Sequence, residues 1–266
     1  MDKSKLYILK IGGNVIDDPK QLESFLSSFA KIEGAKILVH GGGKIASSIS
    51  KELGIVPNMV DGRRITDAET LKVVTMVYGG LVNKNIVALL QSYGCNAIGL
   101  TGADANILPA QKRPVKEIDY GFVGDIDEDK VNDKILSSFL ENGLCTVIAP
   151  LTHDNHGSLL NTNADTIASV LAVSLSANYD VSLTYCFEKS GVLRDVNDEK
   201  SLINSISSIE YEDLKKEGII NQGMIPKLDN AFDALQKGVQ SVQIIHADEI
   251  ACLINQTKPK GTELYA

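Results

Sequence analysis

The sequence predicts an α/β protein, a three-layer αβα sandwich in which helices cover both faces of a mainly parallel central sheet. Short β-rich runs alternate with longer helical patterns along the chain, and this alternation is typical of βαβ units. The 266 residues are 44% apolar and 23% charged, a composition that provides for a sizeable core. We therefore expect residues 1–266 to form a single domain.

Apolar patterning sets the expected boundaries of each element. Runs of apolar and β-branched residues predict strands, and apolar residues at helical spacing predict helices. The predicted strands are Tyr7 to Ile11, Lys36 to His40, Asn96 to Leu100, Thr146 to Pro150, Val181 to Phe187 and Val242 to His246. The predicted helices are Pro19 to Ile32, Lys44 to Leu53, Asp67 to Tyr93, Asp129 to Asn142, Ala164 to Ala177 and Met224 to Lys237.

Two further features concern the organisation of the chain. The stretch from Leu108 to Asp127 contains prolines and glycines and lacks helical periodicity, which predicts a hairpin or lid between two βαβ units. Most glycine-rich strand ends precede residue 178. We therefore expect two lobes, about 1–178 and about 179–266, that share one sheet.

Charge and apolar patterning disfavour two classes of partner. Twenty-six basic residues against 34 acidic ones give a formal charge of −8, which disfavours a nonspecific nucleic-acid binder. The longest apolar runs, such as Leu144 to Leu151, are far shorter than the roughly 20 residues of a membrane-spanning helix, and no secretory signal is evident. We expect neither nucleic acid nor a membrane as a partner.

The cysteines and histidines predict no metal site. His153 and His156 form a pair, but the polar residues around them predict a solvated loop. The cysteines are widely spaced, which favours reduced core thiols over disulfides or metal ligands. They are Cys95, Cys145, Cys186 and Cys252.

Two glycine runs follow successive predicted strands. Lys10-Ile11-Gly12-Gly13 places a lysine at the end of a buried strand, where the glycines let the backbone approach a ligand closely. His40-Gly41-Gly42-Gly43-Lys44 leads into a helix, whose first amides form an anion cradle. Either run alone is equally well explained as a tight turn, whereas both together favour a ligand site. Open α/β sheets bind ligands at this edge, beyond the carboxyl ends of their strands.

Several common catalytic motifs are missing from the sequence. It contains no Walker A loop, no Gly-x-Gly-x-x-Gly after a strand, no Gly-x-Ser-x-Gly elbow and no protein-kinase catalytic loop. These absences disfavour a P-loop nucleotide site and a Rossmann cofactor site.

Six motifs spread over nearly the whole chain resemble the amino acid kinase family. Each motif is weak alone, but six in order are specific. Within the family they are most similar to the members that phosphorylate the side-chain carboxylate of an N-acylated glutamate. The motifs are Lys10-Ile11-Gly12-Gly13, His40 to Gly43, Gly62-Arg63-Arg64-Ile65-Thr66, Gly121-Phe122-Val123-Gly124, Asn161-Thr162-Asn163-Ala164-Asp165 and Gly223-Met224-Ile225-Pro226-Lys227.

The resemblance implies ATP-dependent phosphorylation of N-acetyl-L-glutamate to N-acetyl-glutamyl 5-phosphate, an early step of arginine biosynthesis. Lys10 and Lys227 would be catalytic, stabilising the transition state from opposite sides, and Asp165 would orient both lysines without acting as a base. Because the acceptor carboxylate is ionised near neutral pH, no catalytic histidine is needed. Mg²⁺ would accompany ATP, bound chiefly through phosphates and waters, with no dedicated protein metal site.

The resemblance also implies which residues bind the amino-acid substrate in the N-terminal lobe. Arg64 would hold the α-carboxylate through two parallel hydrogen bonds. Asn161, Gly42 and Gly43 would contact the amino-acid part, and Gly13 would lie near the transferred phosphoryl group. From residue type alone, Asn161 is better explained as a turn residue.

ATP would bind to the C-terminal lobe. Many relatives carry Asp-Val-x-Gly where this chain has Glu188-Lys189-Ser190-Gly191, so the mode of adenine and ribose recognition stays open. The residues expected at ATP are Gly12, Glu188, Ser190, Gly191, Leu193, Asn221, Gly223 and Met224.

Two alternatives to this function remain. The motifs leave the acyl pocket open, so a kinase that prefers another acyl group, such as that of N-succinyl-L-glutamate, fits them as well. A non-catalytic sensor of nucleotide or amino acid is disfavoured by the presence of Lys10, Lys227 and Asp165, because a sensor has no transition state to neutralise.

The resemblance further suggests how the chain assembles. Arginine-inhibited relatives form a hexameric ring through an extra N-terminal helix, and Lys10 lies too near the start of this sequence for such a helix. We expect a cytoplasmic homodimer that is insensitive to arginine and is built across a helix such as Asp67 to Tyr93.

Overall fold

A computed structural model describes residues 3–60, 62–220, 223–255 and 257–266. All the predicted strands are confirmed, with ends that move by at most two residues. The strands are β1 (Lys5–Ile11), β2 (Ala35–His40), β3 (Met59–Val60), β4 (Arg63–Arg64), β5 (Ala97–Leu100), β6 (Ala110–Lys112), β7 (Gly124–Ile126), β8 (Cys145–Ile148), β9 (Leu151–His153), β10 (Leu159–Asn161), β11 (Asp180–Phe187), β12 (Ser205–Ser207), β13 (Ser241–His246) and β14 (Gly261–Tyr265).

The predicted helices are also confirmed, and their first residues explain where they begin. Asp18 accepts hydrogen bonds from the first amides of the second helix, and Asn163 does the same for the seventh. The helices are α1 (Gly13–Asp17), α2 (Pro19–Ala30), α3 (Gly43–Glu52), α4 (Ala68–Val74), α5 (Asn83–Ser92), α6 (Asp133–Glu141), α7 (Ala164–Ser176), α8 (Ser208–Lys216), α9 (Ile225–Gln236) and α10 (Ala251–Ile254).

In the described part of the chain, eight strands form one sheet in the order β12-β14-β13-β11-β1-β2-β8-β5. The pairings are parallel except that of β14 with β13, so the predicted mainly parallel sheet is confirmed. β1 lies near the middle and pairs with β2 and β11 in a register that sets Lys10 beside Val39 and Tyr185. The carboxyl ends of these three strands therefore meet at one edge.

Helices pack on both faces of the sheet, which confirms the three-layer sandwich. On one face, Ile8 and Leu183 belong to a buried cluster that includes apolar residues of α6, α7, α8 and α9. On the other face, Leu9 and Ile11 belong to a cluster with α2, α4 and α5. The sheet runs through both predicted lobes, and the division near residue 178 stays a prediction.

Short antiparallel hairpins cover the carboxyl edge of the sheet. β6 pairs with β7, which confirms a hairpin within the stretch from Leu108 to Asp127. Isolated bridges join Thr66 to Gly121 and Val123 to Asn161, so this hairpin is tied to the segments after β4 and in β10. A Cβ atom at Gly121 would lie 2.2 Å from the carbonyl oxygen of Thr66, so only glycine permits this approach.

Residues Ala68–Ser92 form one long helical element, in which a π-helical turn, Thr75–Val82, joins α4 to α5. By length and composition this element could cross a membrane, but 44% of its most apolar window is buried inside the protein. Its inner face contributes Val74 and Ile86 to the core, while Met76 and Leu81 are exposed. An apolar outer face therefore remains on the surface of this element.

Several short elements were not predicted from the sequence, among them α8, β12 and β14. A capping box between Ser207 and Glu210 marks the start of α8. The cysteine prediction is confirmed, because all four thiols are free and Cys95, Cys145 and Cys186 are buried.

Candidate active site

A cleft opens at the carboxyl ends of β1, β2 and β11, where the two glycine runs were expected to meet. Its larger cavity has a volume of about 1320 Å³, and an adjoining cavity of about 490 Å³ shares Gly42, Gly43 and Lys227 with it. Among the predicted site residues, the larger cavity is lined by Lys10, Gly12, Gly13, Gly42, Gly43, Arg64, Glu188, Gly191, Leu193, Gly223, Met224 and Lys227. The smaller cavity is lined by Gly42, Gly43, Arg64, Asn161, Asp165, Gly223 and Lys227.

An aspartate between two lysines lies in the middle of this cleft. Lys10 Nζ is 2.8 Å from Asp165 Oδ1, and Lys227 Nζ is 2.6 Å from Asp165 Oδ2. The three residues come from β1, the first turn of α7 and the first turn of α9, so residues 217 positions apart in the chain meet at one carboxylate. Lys10 and Asp165 are buried, whereas 24% of the Lys227 side chain is exposed to the cleft.

Burial and charge set the protonation of this cluster. Burial lowers the pKa of Lys10, and Asp165 partly opposes that shift. Burial alone would raise the pKa of Asp165, but the charges and hydrogen bonds of the two lysines hold it at about 2. Asp165 is therefore ionised throughout the neutral range, and it accepts no proton during a reaction at neutral pH.

The glycine turns bring backbone amides to the same edge. Gly12 and Gly13 begin α1, and Gly43 begins α3. Gly42 has a φ of +143°, and a Cβ atom there would lie 3.1 Å from the Tyr78 ring. A side chain at Gly42 is excluded on both counts, so the turn leaves its amides open to the cleft.

The neutral side chain of His40 forms hydrogen bonds that hold the glycine turn of residues 41–43. It is fully buried, and burial lowers its pKa to about 4. Its Nδ1 donates to the carbonyl of Gly41 at 2.7 Å, and its Nε2 accepts from the Asn83 amide at 3.1 Å. Asn83 lies at the start of α5, so the long helical element is joined to the glycine turn.

Arg64 lies beside the glycine turn with one nitrogen unsatisfied. Its Nη2 donates to the carbonyl of Gly43 at 2.9 Å and to the Ser47 hydroxyl at 2.7 Å. Its Nη1 is buried without a hydrogen-bond partner. A buried guanidinium nitrogen without an acceptor is costly in an empty cleft, and a substrate carboxylate would satisfy it.

Asn161 lies across the smaller cavity from the glycine turn, at the end of β10. Its Nδ2 donates to the Thr66 hydroxyl at 3.0 Å, and its backbone amide donates to the carbonyl of Phe122. The bridges between these segments therefore orient the Asn161 side chain, which a turn assignment from residue type alone does not explain.

The side of the larger cavity at which ATP is expected combines apolar and charged side chains. Glu188, Gly191, Leu193, Gly223 and Met224 line it as predicted, together with apolar side chains. Ser190 is not among the lining residues, because its hydroxyl donates to the Glu199 carboxylate. Asn221 lies outside the described residues. The added apolar lining comes from Val192, Val196, Ile219 and Ile220.

Tyr78 and Phe187 are two of the aromatic cleft residues that the sequence analysis missed. Tyr78 lies in the π-helical turn, where the break in helical spacing hides it from a periodicity analysis. Phe187 ends β11 beside both lysines, and its place at a strand end was the only available signal. Both aromatics line the cavities described above.

No group of three or more His, Cys, Asp or Glu side chains with metal-binding geometry occurs among the described residues. Among those residues, lysines, arginines and backbone amides of the cleft suit anions, while Glu188 and Asp195 line the larger cavity without a third carboxylate, histidine or cysteine to complete a metal site. This donor set fits Mg²⁺ only as an ion carried by phosphate oxygens.

The chain is similar to known proteins over nearly its whole length. The family model described as "Amino acid kinase family" matches residues 5–246. Proteins named acetylglutamate kinase from Cytophaga hutchinsonii and Bacteroides fragilis are 61% and 57% identical to it. They match 98% and 93% of this chain over 99% and 94% of their own length, respectively.

Solved structures agree with the fold. A Streptococcus mutans protein matches with a TM-score of 0.77 at 26% identity, and the match covers 98% of both chains. Carbamate kinase from Giardia lamblia bound to AMP-PNP matches with a TM-score of 0.71 at 16% identity, over 100% of this chain and 99% of that one. The family model and the curated relatives together show that the chain belongs to the amino acid kinase family.

Proposed function

We propose that the protein phosphorylates the side-chain carboxylate of N-acetyl-L-glutamate with ATP, giving N-acetyl-glutamyl 5-phosphate for arginine biosynthesis. The observation that carries the proposal is the Lys10–Asp165–Lys227 cluster, which lies where the two cavities meet. Relatives named acetylglutamate kinase, 55% to 61% identical over nearly the whole chain, support this substrate.

The smaller cavity is suited to the amino-acid part of the substrate. The free Nη1 of Arg64 would bind the α-carboxylate, and Asn161 with the amides of Gly42 and Gly43 would bind the N-acyl amino group and backbone. The side-chain carboxylate would then point toward the two lysines. Gly13 would lie beside the phosphoryl group during transfer.

The reaction needs position and charge and no general base. A carboxylate oxygen of the substrate attacks the γ-phosphorus of ATP and forms the acyl-phosphate P–O bond. The bond to the β–γ bridging oxygen breaks, and its electron pair leaves with ADP. Lys10 and Lys227 neutralise charge on the transferred group, and Asp165 keeps both ammonium groups in place.

ATP would occupy the larger cavity, with its base against the apolar wall and its phosphates near the glycine turns. Gly12, Glu188, Gly191, Leu193, Gly223 and Met224 line that cavity, and we keep Ser190 and Asn221 as predicted contacts. Mg²⁺ bound to the triphosphate would supply further charge neutralisation. The division into a substrate lobe and an ATP lobe near residue 178 belongs to this proposal.

Trapping of the acyl phosphate with hydroxylamine tests the function directly. Wild-type protein with ATP, Mg²⁺ and N-acetyl-L-glutamate is expected to give the hydroxamate, and Lys10→Met is expected to give almost none. Product from N-succinyl-L-glutamate alone would move the substrate to the larger acyl group. ATP binding without product from either acid would contradict a kinase and favour a sensor.

We also propose a cytoplasmic homodimer, built across Ala68–Ser92 and insensitive to arginine. The exposed apolar side chains of Met76 and Leu81 support this interface. Light scattering is expected to give a dimer for the wild type and a monomer for the Met76→Asp, Leu81→Asp double variant. A hexamer, or inhibition of the wild type by arginine, would contradict the proposal.

A further inference from the structure

The ring of Phe187 faces both lysines of the cluster. Lys10 Nζ lies 5.1 Å and Lys227 Nζ lies 4.7 Å from the ring centroid. Both distances are within the roughly 6 Å over which an aromatic face attracts a cation. Neither the family motifs nor the mechanism above gives this residue a role.

Neighbouring residues hold the Phe187 ring in this place. The ring stacks on Tyr185 with centroids 6.4 Å apart and an angle of 6° between planes. The Tyr185 hydroxyl in turn donates to the backbone carbonyl of Asp165 at 3.3 Å. A Cβ atom at Gly12 would lie 3.4 Å from the ring, so Gly12 packs closely beside it. Phe187 is thus linked through Tyr185 to the backbone of Asp165, whose carboxylate pairs with the lysines.

The two lysines of the cluster repel each other, and an aromatic ring can offset part of this repulsion. Lys10 and Lys227 share one carboxylate, and repulsion from Lys227 adds to burial in lowering the pKa of Lys10. A second carboxylate would favour both ammonium groups, but it would also repel the phosphates of ATP. An aromatic face attracts cations through its quadrupole and carries no net charge.

We propose that Phe187 is a positioning residue whose ring face holds the side-chain nitrogens of Lys10 and Lys227 in place in the cleft. The inference rests on the proposed kinase function and deepens it. It requires aromatic character at position 187, and apolarity alone is not sufficient. The titratable groups that face Lys10 are Asp165, Lys227 and Cys186, and the test leaves all of them unchanged.

The test compares Phe187→Leu, which removes the ring, with Phe187→Tyr, which keeps it. For Phe187→Leu we expect kcat to fall about 10-fold while KM for both substrates changes by less than about twofold. The alkaline limb of the kcat profile moves to lower pH, because Lys10 loses its proton more readily. Phe187→Tyr is expected to retain most of kcat and to keep the alkaline limb of the kcat profile at the pH of the wild type.

A matched control removes a different ring. Phe29 is a core residue far in sequence from Phe187, and Lys36 Nζ lies 5.5 Å from its ring centroid. Phe29→Leu is expected to lower the melting temperature but to keep the wild-type pH profile. Wild-type kcat and pH profile in Phe187→Leu, or equal impairment of Phe187→Tyr, would overturn the proposal.

A second readout does not depend on turnover. In protein labelled with [13C]lysine, the Lys10 signal can be identified by its loss in Lys10→Met. Its pKa is expected to be lower in Phe187→Leu than in the wild type and in Phe187→Tyr, and equal values overturn the proposal. If the wild type forms no acyl phosphate, the kinase function fails, whereas this titration still decides the role of Phe187.

Discussion

The two sides of the cleft are built in different ways. On the side proposed to bind the acyl glutamate, polar groups are hydrogen-bonded to each other, as when Arg64 donates to Gly43 and Ser47 and Asn161 donates to Thr66. On the side proposed to bind ATP, aliphatic side chains such as Val192 form a wall, with charged residues such as Glu188 and Arg194 beside them. The lysine cluster lies between the two.

This difference fits the chemistry of the two proposed ligands, the acyl glutamate and ATP. A small dianion offers little apolar surface, so its recognition depends on charges that are already fixed before it binds. A heterocyclic base offers a large flat surface, and an apolar slot binds it with few polar contacts. We therefore expect polar substitutions to act on one substrate only, according to the side on which they lie.

The largest effect is expected at the cluster shared by both sides. Asp165→Asn leaves two buried lysines without a counterion, and one of them must deprotonate or move. We expect kcat to fall about 1000-fold, equivalent to about 4 kcal/mol, as measured by the hydroxamate assay.

Asp233→Asn is the matched control for that prediction, because Asp233 forms an exposed ion pair with Lys237 on α9. It is expected to change neither kcat nor stability measurably. Near-normal turnover of Asp165→Asn, with a wild-type melting temperature, would show that the shared carboxylate does not organise the site.

The next largest effect is expected on KM for one of the two substrates only. Arg64→Lys keeps the charge but loses the planar fork, so KM for the acyl glutamate is expected to rise about 10- to 100-fold with little change in KM for ATP. Lys216→Arg, at an exposed ion pair with Asp213 outside both cavities, should leave both constants near wild type. A rise in both KM values for Arg64→Lys would erase the distinction between the two sides.

A smaller effect is expected on the nucleotide side. Val196→Asp puts a carboxylate into the apolar wall of the larger cavity, where the base of bound ATP would desolvate it. KM for ATP is expected to rise about 5-fold, with KM for the acyl glutamate unchanged. Ile209→Asp, at an exposed residue of α8 outside both cavities, is the control. An equal response from both variants would count against the assignment of the ATP site.

A separate effect concerns stability and not turnover. The pKa of His40 is about 4 in the folded protein against about 6.5 in an unfolded chain, so the unfolded state gains a proton first as pH falls. The wild type therefore loses stability between about pH 6.5 and 4, by an amount on the order of 3 kcal/mol from this group.

Urea unfolding of His40→Gln checks this sign. The variant is expected to have a lower free energy of unfolding than the wild type at pH 7, and this difference should narrow as pH falls. The control, His156→Gln in an exposed turn, should have the free energy of unfolding of the wild type at each pH. A gap that is constant from pH 7 to pH 4 would mean that His40 is not held neutral by the fold.

Much of the fold follows from local pattern, and the exceptions have physical reasons. Strands such as β1 and β11 are buried along nearly all of their length because both faces of the sheet are covered, and their many apolar residues show them in the sequence. β12 is a short edge strand, and its pairing partner, β14, is set by tertiary contacts that no local run of residues reveals. The sequence did contain a signal for α8 in its capping box.

The candidate site was predictable where chemistry requires a residue type. Lys10, Asp165 and Lys227 were proposed from motifs, and the structure brings all three into contact. Phe187 and Tyr78 carry no such motif, and their roles arise from where strand and helix geometry places their rings. The engagement of Ser190 with Glu199 is likewise a side-chain pairing that strand position could not predict.

Lys10 and Lys227 lie on backbone segments that should open at different concentrations of denaturant. Lys10 is carried by a strand that is hydrogen-bonded on both sides, so its amide should exchange with solvent only when the whole domain unfolds. Lys227 lies in the first turn of a helix, where the backbone opens at much lower free energy. Catalysis should therefore disappear at denaturant concentrations that leave the sheet intact, and its loss will report the opening of one helix end.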